Sequence, residues 1–231
     1  MPEEMITPAW LTPVAWVFVG VALLCAAFLV YDILVRGYRQ RVGAMNAVWP
    51  MTALYFGPLA VWAYVRYGRP RSEQWQGKNG AAPEKDLSTA ALTGGTPGGA
   101  ASLIGHVLGV PLIVFSGVTI AGLDLWAMIA AVAVIASAFL FAYEFFFSTV
   151  PARGLPATQG TAVAAFIAFA TVLAFDIGMG GWMLFLHFGW FMPAVTDVTF
   201  LFLMQVGLIL GFLTGYPMVR FLVARGVKAV T

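Results

Sequence analysis

Six long apolar segments divide the sequence and constrain its fold more than any other feature. They span roughly residues 11–35, 44–65, 100–121, 125–147, 160–190 and 197–224. Each is about 20 residues or longer, which is enough for a helix to cross a hydrocarbon core about 30 Å thick. Hydrophobic residues make up 61% of the chain and charged residues only 10%, whereas soluble domains carry about 25% charged residues. The sequence therefore predicts an all-α, polytopic transmembrane helix bundle, one domain over residues 1–231, embedded in membrane lipid.

The second segment, 44–65, is the ambiguous one. Pro50 and Pro58 interrupt it, and the basic stretch RGYRQR precedes it at 36–41. If the segment crosses, these three arginines lie opposite the remaining basic residues. If it enters the membrane and returns, all twelve Lys and Arg lie on one side, which positive-inside orientation favours. Length favours a crossing, so six crossings are expected, with the re-entrant arrangement as the alternative and the C-terminus in the cytoplasm.

A long polar stretch, 66–99, separates the second and third segments. It is rich in Gly, Pro and charges of both signs, which is typical of a flexible loop. We expect a cytoplasmic loop with at most a short helix near 83–92. Its TGGTPGG run, 93–99, lacks the Lys-Ser/Thr end of a phosphate-binding loop, so we expect a solvated hinge and no nucleotide.

Glycines recur every four residues in two segments, which predicts close helix contacts. Gly207, Gly211 and Gly215 would share one face of the last segment, and Gly105 and Gly109 one face of the third. Such glycines allow another backbone to approach closely. The contact would be either within the chain or between subunits.

Polar residues within the fifth segment are the first candidates for function. Asp176, Met179, Gly180, Met183 and His187 fall within a stripe roughly 80° wide on a helix. A lipid-facing Asp in a membrane helix costs roughly 2.5–3.5 kcal/mol, so this carboxylate should face protein or water. Asp176 and His187 are about 16 Å apart along the axis and cannot bind one ion.

Other polar side chains could join Asp176 in a pathway through the membrane. His106 lies about two turns into the third segment. The fourth segment ends with Tyr143 and Glu144, and the sixth contains Gln205. The expected pathway set is Asp176, His187, His106, Glu144, Tyr143 and Gln205.

Three interpretations of these residues stay open at this point. The first is metal binding, since His and Met suit soft ions such as copper, with His106, Met179, Met183 and His187 as ligands. The second is proton or cation translocation, in which Asp, Glu and His act as relay groups. The third is structural, with the carboxylate hydrogen-bonded to a neighbouring helix and the methionines filling space. No cofactor is required, and a metal ion is the one candidate.

Enzymatic motifs are not found in the sequence. It contains no HExxH, GxSxG or paired-His cluster, which argues against the metalloprotease and serine-hydrolase classes. The net charge of +2 is too small to indicate nucleic-acid binding. An enzyme is therefore not the expected class.

Three stretches resemble the bacterial Domain of Unknown Function 4396 family. They are MNAVWPMTALYFGPLAVWAYVRYGR (45–69), DIGMGGWM (176–183) and FLFLMQVGLILGFLTGYPMVRFLV (200–223). The resemblance implies a multi-span protein of the bacterial inner membrane and assigns no activity. It also implies a His-Cys pair and a further Cys in the third segment, whereas SLIGHVLGVP (102–111) keeps His106 without a thiol. This departure weakens a copper role.

The function that we favour from the sequence is a small cation or proton transporter or channel-like protein. The alternative is a non-catalytic subunit or assembly factor of a larger membrane complex, and a copper-type metal-binding protein comes third. A homo-oligomer is compatible with the first of these.

Overall fold

The computed structural model describes residues 8–189 and 191–229. The ends of the expected domain 1–231, and residue 190, lie outside the described residues. Nine α-helices occur in the described part of the chain: α1 Leu11–Val30, α2 Met45–Phe56, α3 Pro58–Ala63, α4 Glu73–Asn79, α5 Leu87–Ser116, α6 Asp124–Phe146, α7 Thr149–Arg153, α8 Ala157–Phe188 and α9 Val198–Ala224. Two π-helical turns, Tyr31–Val35 and Tyr64–Gly68, extend α1 and α3, and Arg69–Arg71 forms a 3₁₀ turn.

Five of these helices, with their continuations, are long and apolar enough to cross a membrane: Leu11–Val35, Leu87–Ser116, Asp124–Arg153, Ala157–Phe188 and Val198–Ala224. Helices α5, α6, α8 and α9 form a closed ring in which each packs against the next, and α1 joins the ring by packing on α9. Large apolar side chains face outward, including Leu24, Val134 and Phe115, which is 88% exposed. Since such a surface suits lipid rather than water, the predicted transmembrane helix bundle is confirmed.

The second apolar segment forms a helical hairpin instead of a crossing. Gly57, with φ +53° and ψ −125°, ends α2 in a conformation that L-residues avoid, and Pro58 starts α3 directly after it. The two ends of the hairpin meet, because the rings of Trp49 and Tyr64 lie 5.6 Å apart and Tyr64 donates a hydrogen bond to Asp32 at the end of α1. The segment therefore enters the bundle and returns, and the expected six crossings are five.

All twelve basic residues gather at one end of the bundle, which we call the basic end. The end of α1 meets the hairpin exit, where Arg69 contacts Asp32 at 3.3 Å, and residue 40 pairs with residue 72. The tail after α9 docks there too, since Arg153 donates a hydrogen bond to the carbonyl of Val227. The basic residues are Arg36, Arg39, Arg41, Arg66, Arg69, Arg71, Lys78, Lys85, Arg153, Arg220, Arg225 and Lys228.

Helix α5 begins thirteen residues earlier than the apolar pattern indicates, at Leu87 instead of about residue 100. The expectation of a solvated hinge at 93–99 is therefore wrong. These small residues are almost all buried, because the bundle presses large side chains against them. A Cβ at Gly95 would lie 3.2 Å from the ring of Phe212, and one at Gly98 3.0 Å from Thr171. Tertiary packing outweighs the low helix propensity of Gly and Pro in this run.

Candidate functional site

A small cavity lies between α5, α6 and α8, within the membrane-spanning part of the bundle. Its volume is about 10 Å³, and its lining includes His106 from α5 and Asp176, Met179 and Met183 from α8. That space is sufficient for about one water molecule. The bundle thus brings a carboxylate and an imidazole from separate helices to the lining of one small cavity.

The two ionisable residues lie at the same depth. His106 and Asp176 are each nineteen residues from the start of their helices, at Leu87 and Ala157. With a rise of 1.5 Å per residue, each lies about 28 Å from the helix start at the basic end. The sequence-based position of His106, two turns into its segment, is wrong because α5 starts earlier.

Hydrogen bonding defines the proton arrangement of His106. Its Nδ1 lies 2.8 Å from the carbonyl oxygen of Ser102, which can only accept, so Nδ1 carries the proton in the neutral ring. Nε2 is buried and has no hydrogen-bond partner among the described residues, and the residue is 6% exposed. His106 therefore presents an unused proton acceptor within the protein interior.

Asp176 is half-buried on α8, and its carboxylate has no ion-pair partner within the described part of the chain. A carboxylate removed from bulk water without a counter-charge is costly unless it binds a proton. Its location beside the cavity and its lack of a counter-ion distinguish it from Asp32, which Arg36 and Arg69 neutralise.

The two methionines of the stripe pack within the protein core. Met183 is 2% exposed and Met179 is 1% exposed. The sulfur of Met179 lies where a side chain on Gly207 of α9 would begin, so it fills the space left by that glycine. No group of three or more His, Cys, Asp or Glu that could hold a metal ion occurs among the described residues.

His187 lies outside the cavity, although it shares the helix face of Asp176. Its ring contacts Phe188 edge-on, with centroids 5.2 Å apart, and it is half-buried near the end of α8. The ligand set expected from the sequence, His106 with His187 and the two methionines, therefore has no common centre.

The remaining polar candidates serve other contacts. Glu144 is fully buried and forms an ion pair with Lys228 of the C-terminal tail. Tyr143 directs its hydroxyl to the sulfur of Met45 at 3.3 Å. Gln205 donates a hydrogen bond to the carbonyl of Leu54 at the hairpin tip. None of these three side chains lines the cavity.

The glycine faces form contacts within the chain. A Cβ at Gly211 would lie 3.0 Å from the backbone oxygen of Phe175 on α8, and Gly215 faces the ring of the same residue. Gly105 and Gly109 face Val132 on α6, with the Gly109 Cβ position 3.2 Å from its backbone nitrogen. These close approaches pack α9 against α8 and α5 against α6.

Three buried hydroxyl groups near the cavity were not anticipated from the sequence. Ser102, Thr171 and Tyr55 each have a buried hydroxyl without a hydrogen-bond partner in the described part of the chain. Ser102 lies one turn before His106, and Thr171 lies five residues before Asp176. The hydroxyl of Tyr55 faces Gly99 of α5. Hydroxyl residues inside apolar segments were the available signal, but only the packing shows that they cluster.

A lysine at the basic end has an altered acidity. Burial, and secondly the neighbouring charge of Arg71, lower the pKa of Lys85 to about 8. Its ammonium donates a hydrogen bond to Thr93 on α5 at 3.0 Å.

The fold and the outward-facing apolar surface define a polytopic α-helical integral membrane protein. Residues 89–228 match the family model described as Domain of unknown function (DUF4396). Since this match covers more than half of the chain, the protein belongs to that family. The match includes the stretches 176–183 and 200–223 and begins after 45–69. No curated protein and no solved structure matches the chain.

Proposed function

We propose that this protein conducts protons across the membrane, with Asp176 and His106 exchanging the proton. The observation that carries the proposal is their convergence from two helices on one cavity. Within the described part of the chain, Nε2 of His106 is buried without a hydrogen-bond partner and the Asp176 carboxylate has no ion-pair partner. A carboxylate and an imidazole can both bind and release a proton under physiological conditions, and ionisable residues inside membranes mark such pathways.

The size of the cavity favours a proton over a metal cation. A space of about 10 Å³ holds one water molecule, which can bridge Asp176 and Nε2 of His106. A hydrated metal ion would not fit, and a bare one would need several ligands in place of its water shell. The sequence leaves open whether a cation or a proton is transported, and we therefore propose the proton.

The buried hydroxyl groups supply a route between the cavity and the basic end. Ser102 lies one turn before His106 on α5. At the next turn the hydroxyl of Tyr55 faces Gly99, and Thr171 contacts Gly98 through its methyl group. A hydroxyl can accept one proton while it donates another. These groups therefore extend the pathway toward Thr93 and Lys85.

We further propose that the basic end faces the cytoplasm of a bacterial cell. All twelve Lys and Arg lie at this end, and positively charged residues are retained on the cytoplasmic side during membrane insertion. The C-terminal tail is then cytoplasmic, and the inner membrane is the expected location. Cysteine accessibility of single-Cys variants at residues 78 and 120, tested with a membrane-impermeant reagent, checks this orientation.

A flux assay in liposomes tests the proton proposal. The full chain is reconstituted with an internal pH-sensitive dye, and a potassium gradient with valinomycin drives proton entry. We expect Asp176→Asn and His106→Gln to reduce the flux at least about tenfold, which corresponds to a barrier about 1.4 kcal/mol higher. Asp124→Asn and His187→Gln are the matched controls, since Asp124 is exposed at the start of α6 and neither lines the cavity.

Gly180→Ala provides a test that changes no ionisable group. A Cβ at Gly180 meets no atom within 4 Å, so the methyl group enters the cavity without displacing the structure. We expect reduced flux without a loss of stability. If Asp176→Asn, His106→Gln and Gly180→Ala all conduct like the wild type, the proposal is wrong.

Assembly into a homo-oligomer or a larger complex stays a prediction. Gentle purification followed by native mass spectrometry measures it directly. A reproducible partner, combined with no proton flux, would favour the role of a non-catalytic subunit.

A further inference from the structure

A large groove on the membrane-facing side of the bundle lies beside the small cavity and shares His106 with it. It has a volume of about 510 Å³ and lies between α1, the hairpin tip, α5 and α9, which is within the usual size of small-molecule sites. Among the described residues, its lining is almost entirely apolar and contains no Lys, Arg, Asp or Glu. His106 and Gln205 are the largest polar side chains that line it.

Both side chains offer a hydrogen-bond acceptor and are held in place by a backbone carbonyl. The carbonyl of Ser102 takes the Nδ1 proton of His106, which leaves Nε2 as an acceptor. The carbonyl of Leu54 takes the amide N–H of Gln205, which leaves Oε1 as an acceptor. Nε2 and Oε1 are both buried without a hydrogen-bond partner within residues 8–189 and 191–229. Buried acceptors of this kind favour a ligand that donates to them.

We infer that this groove binds a lipid-soluble hydroquinone, with its two ring hydroxyl groups directed at His106 and Gln205 and its tail along the apolar wall. A hydroquinone combines two donors with a membrane-soluble body, which matches the two acceptors and the apolar lining. A phospholipid matches poorly, since its phosphate is an anionic acceptor and the groove has no cation to bind it. The inference concerns binding alone and does not rest on the proton proposal.

The test compares two ligands that differ only in donor groups. Full-length protein in phosphatidylcholine nanodiscs is titrated anaerobically with decylubiquinol and, separately, with decylubiquinone, which has carbonyl oxygens where the quinol has hydroxyls. We expect the quinol to bind about tenfold more tightly, since two hydrogen bonds are made only by the quinol. Equal binding of the two would overturn the inference, because it indicates partition into an apolar space.

Variants locate the binding site and separate it from the proton pathway. Val107 lines the groove and is 61% exposed, so Val107→Trp should fill the groove and weaken quinol binding at least about tenfold. Val134→Trp is the control, since Val134 is 69% exposed on α6 and is not part of the groove. Asp176→Asn should bind the quinol normally, so loss of flux and loss of binding are distinguishable.

Gln205→Leu removes one acceptor and should reduce the preference for quinol over quinone by about threefold. If Val107→Trp and Gln205→Leu both retain wild-type quinol binding, the ligand binds elsewhere and the inference is wrong. Extraction of apolar compounds from protein purified in mild detergent gives an independent check. Only phospholipid in that extract, together with equal binding of quinol and quinone, would also overturn it.

Discussion

The ion pair between Glu144 and Lys228 gives the sharpest prediction for stability. Glu144 has no exposed surface and Lys228 is 3% exposed. One carboxylate oxygen contacts the ammonium, and the other accepts a hydrogen bond from Thr149 at 2.6 Å. Lys228→Met would keep most of the side-chain length but leave a buried carboxylate without its counter-charge. Such a loss costs about 3–5 kcal/mol in the free energy of unfolding.

The double variant separates the charge effect from packing. Replacing a whole buried pair by uncharged residues is often close to neutral, so Glu144→Gln with Lys228→Met should recover most of the lost stability. Unfolding by SDS in dodecyl maltoside micelles, followed by circular dichroism, measures these differences. Arg220→Met is the control, since Arg220 is exposed at the same end of the bundle and should change stability by less than about 0.5 kcal/mol.

Two results would refute this reasoning. If Lys228→Met unfolds at the same SDS fraction as the wild type, the pair is open to water and the tail does not seal the basic end. If the double variant loses proton flux, Glu144 belongs to the pathway. We expect flux to be kept, since Glu144 lies twelve residues after Val132, about 18 Å along α6 from the cavity.

Two further predictions concern packing and pH. Gly178→Ala would place a Cβ 2.6 Å from the carbonyl carbon of Leu210 and should lower the free energy of unfolding by about 1–3 kcal/mol. Gly180→Ala should instead raise it by up to about 1 kcal/mol. Equal Tm values for the two variants would contradict the close contact of α8 with α9. The pKa of Lys85 is lowered from 10.5 to about 8 in the folded protein. Between these two pH values the unfolded chain therefore binds more protons than the folded chain, and stability should rise with pH from about pH 8 to 10.5. Thermal unfolding measured across this pH range should show the rise as an increase in Tm. The increase should be smaller in Lys85→Met and unchanged in Lys78→Met.

The two errors in the sequence-based fold have physical causes. The TGGTPGG run looks like a loop because Gly and Pro disfavour helices in isolation. In the bundle, those same small residues let Phe212 and Tyr55 approach α5, and the helix extends through them. The second apolar segment has the length of a crossing, but a residue with φ +53° at Gly57 turns it back. The charge distribution pointed to this outcome, whereas length did not.

One side of the candidate site, the face of α8 that carries Asp176, could be predicted from the sequence. The Asp176 stripe follows from helix periodicity, because residues three and four apart share a face. Its partner did not follow, since both histidines were candidates and the nearer one in sequence is His187. Only the packing of α5 against α6 and α8 shows that His106 reaches the cavity and that His187 does not. Glu144 forms its ion pair with Lys228 of the C-terminal tail, 84 residues away in the chain. No local sequence pattern indicates this pairing.

By itself, the sequence determined that this is a helical membrane protein. That property is a sum over local composition, since each apolar segment partitions into lipid. The turn at Gly57, which brings all twelve basic residues to one end, became visible only in the tertiary structure. Tertiary structure decided which polar atoms meet. The cavity between His106 and Asp176 and the groove with its two acceptors each depend on helices far apart in the chain. Their relative rotation is fixed by glycine contacts whose partners the sequence does not name.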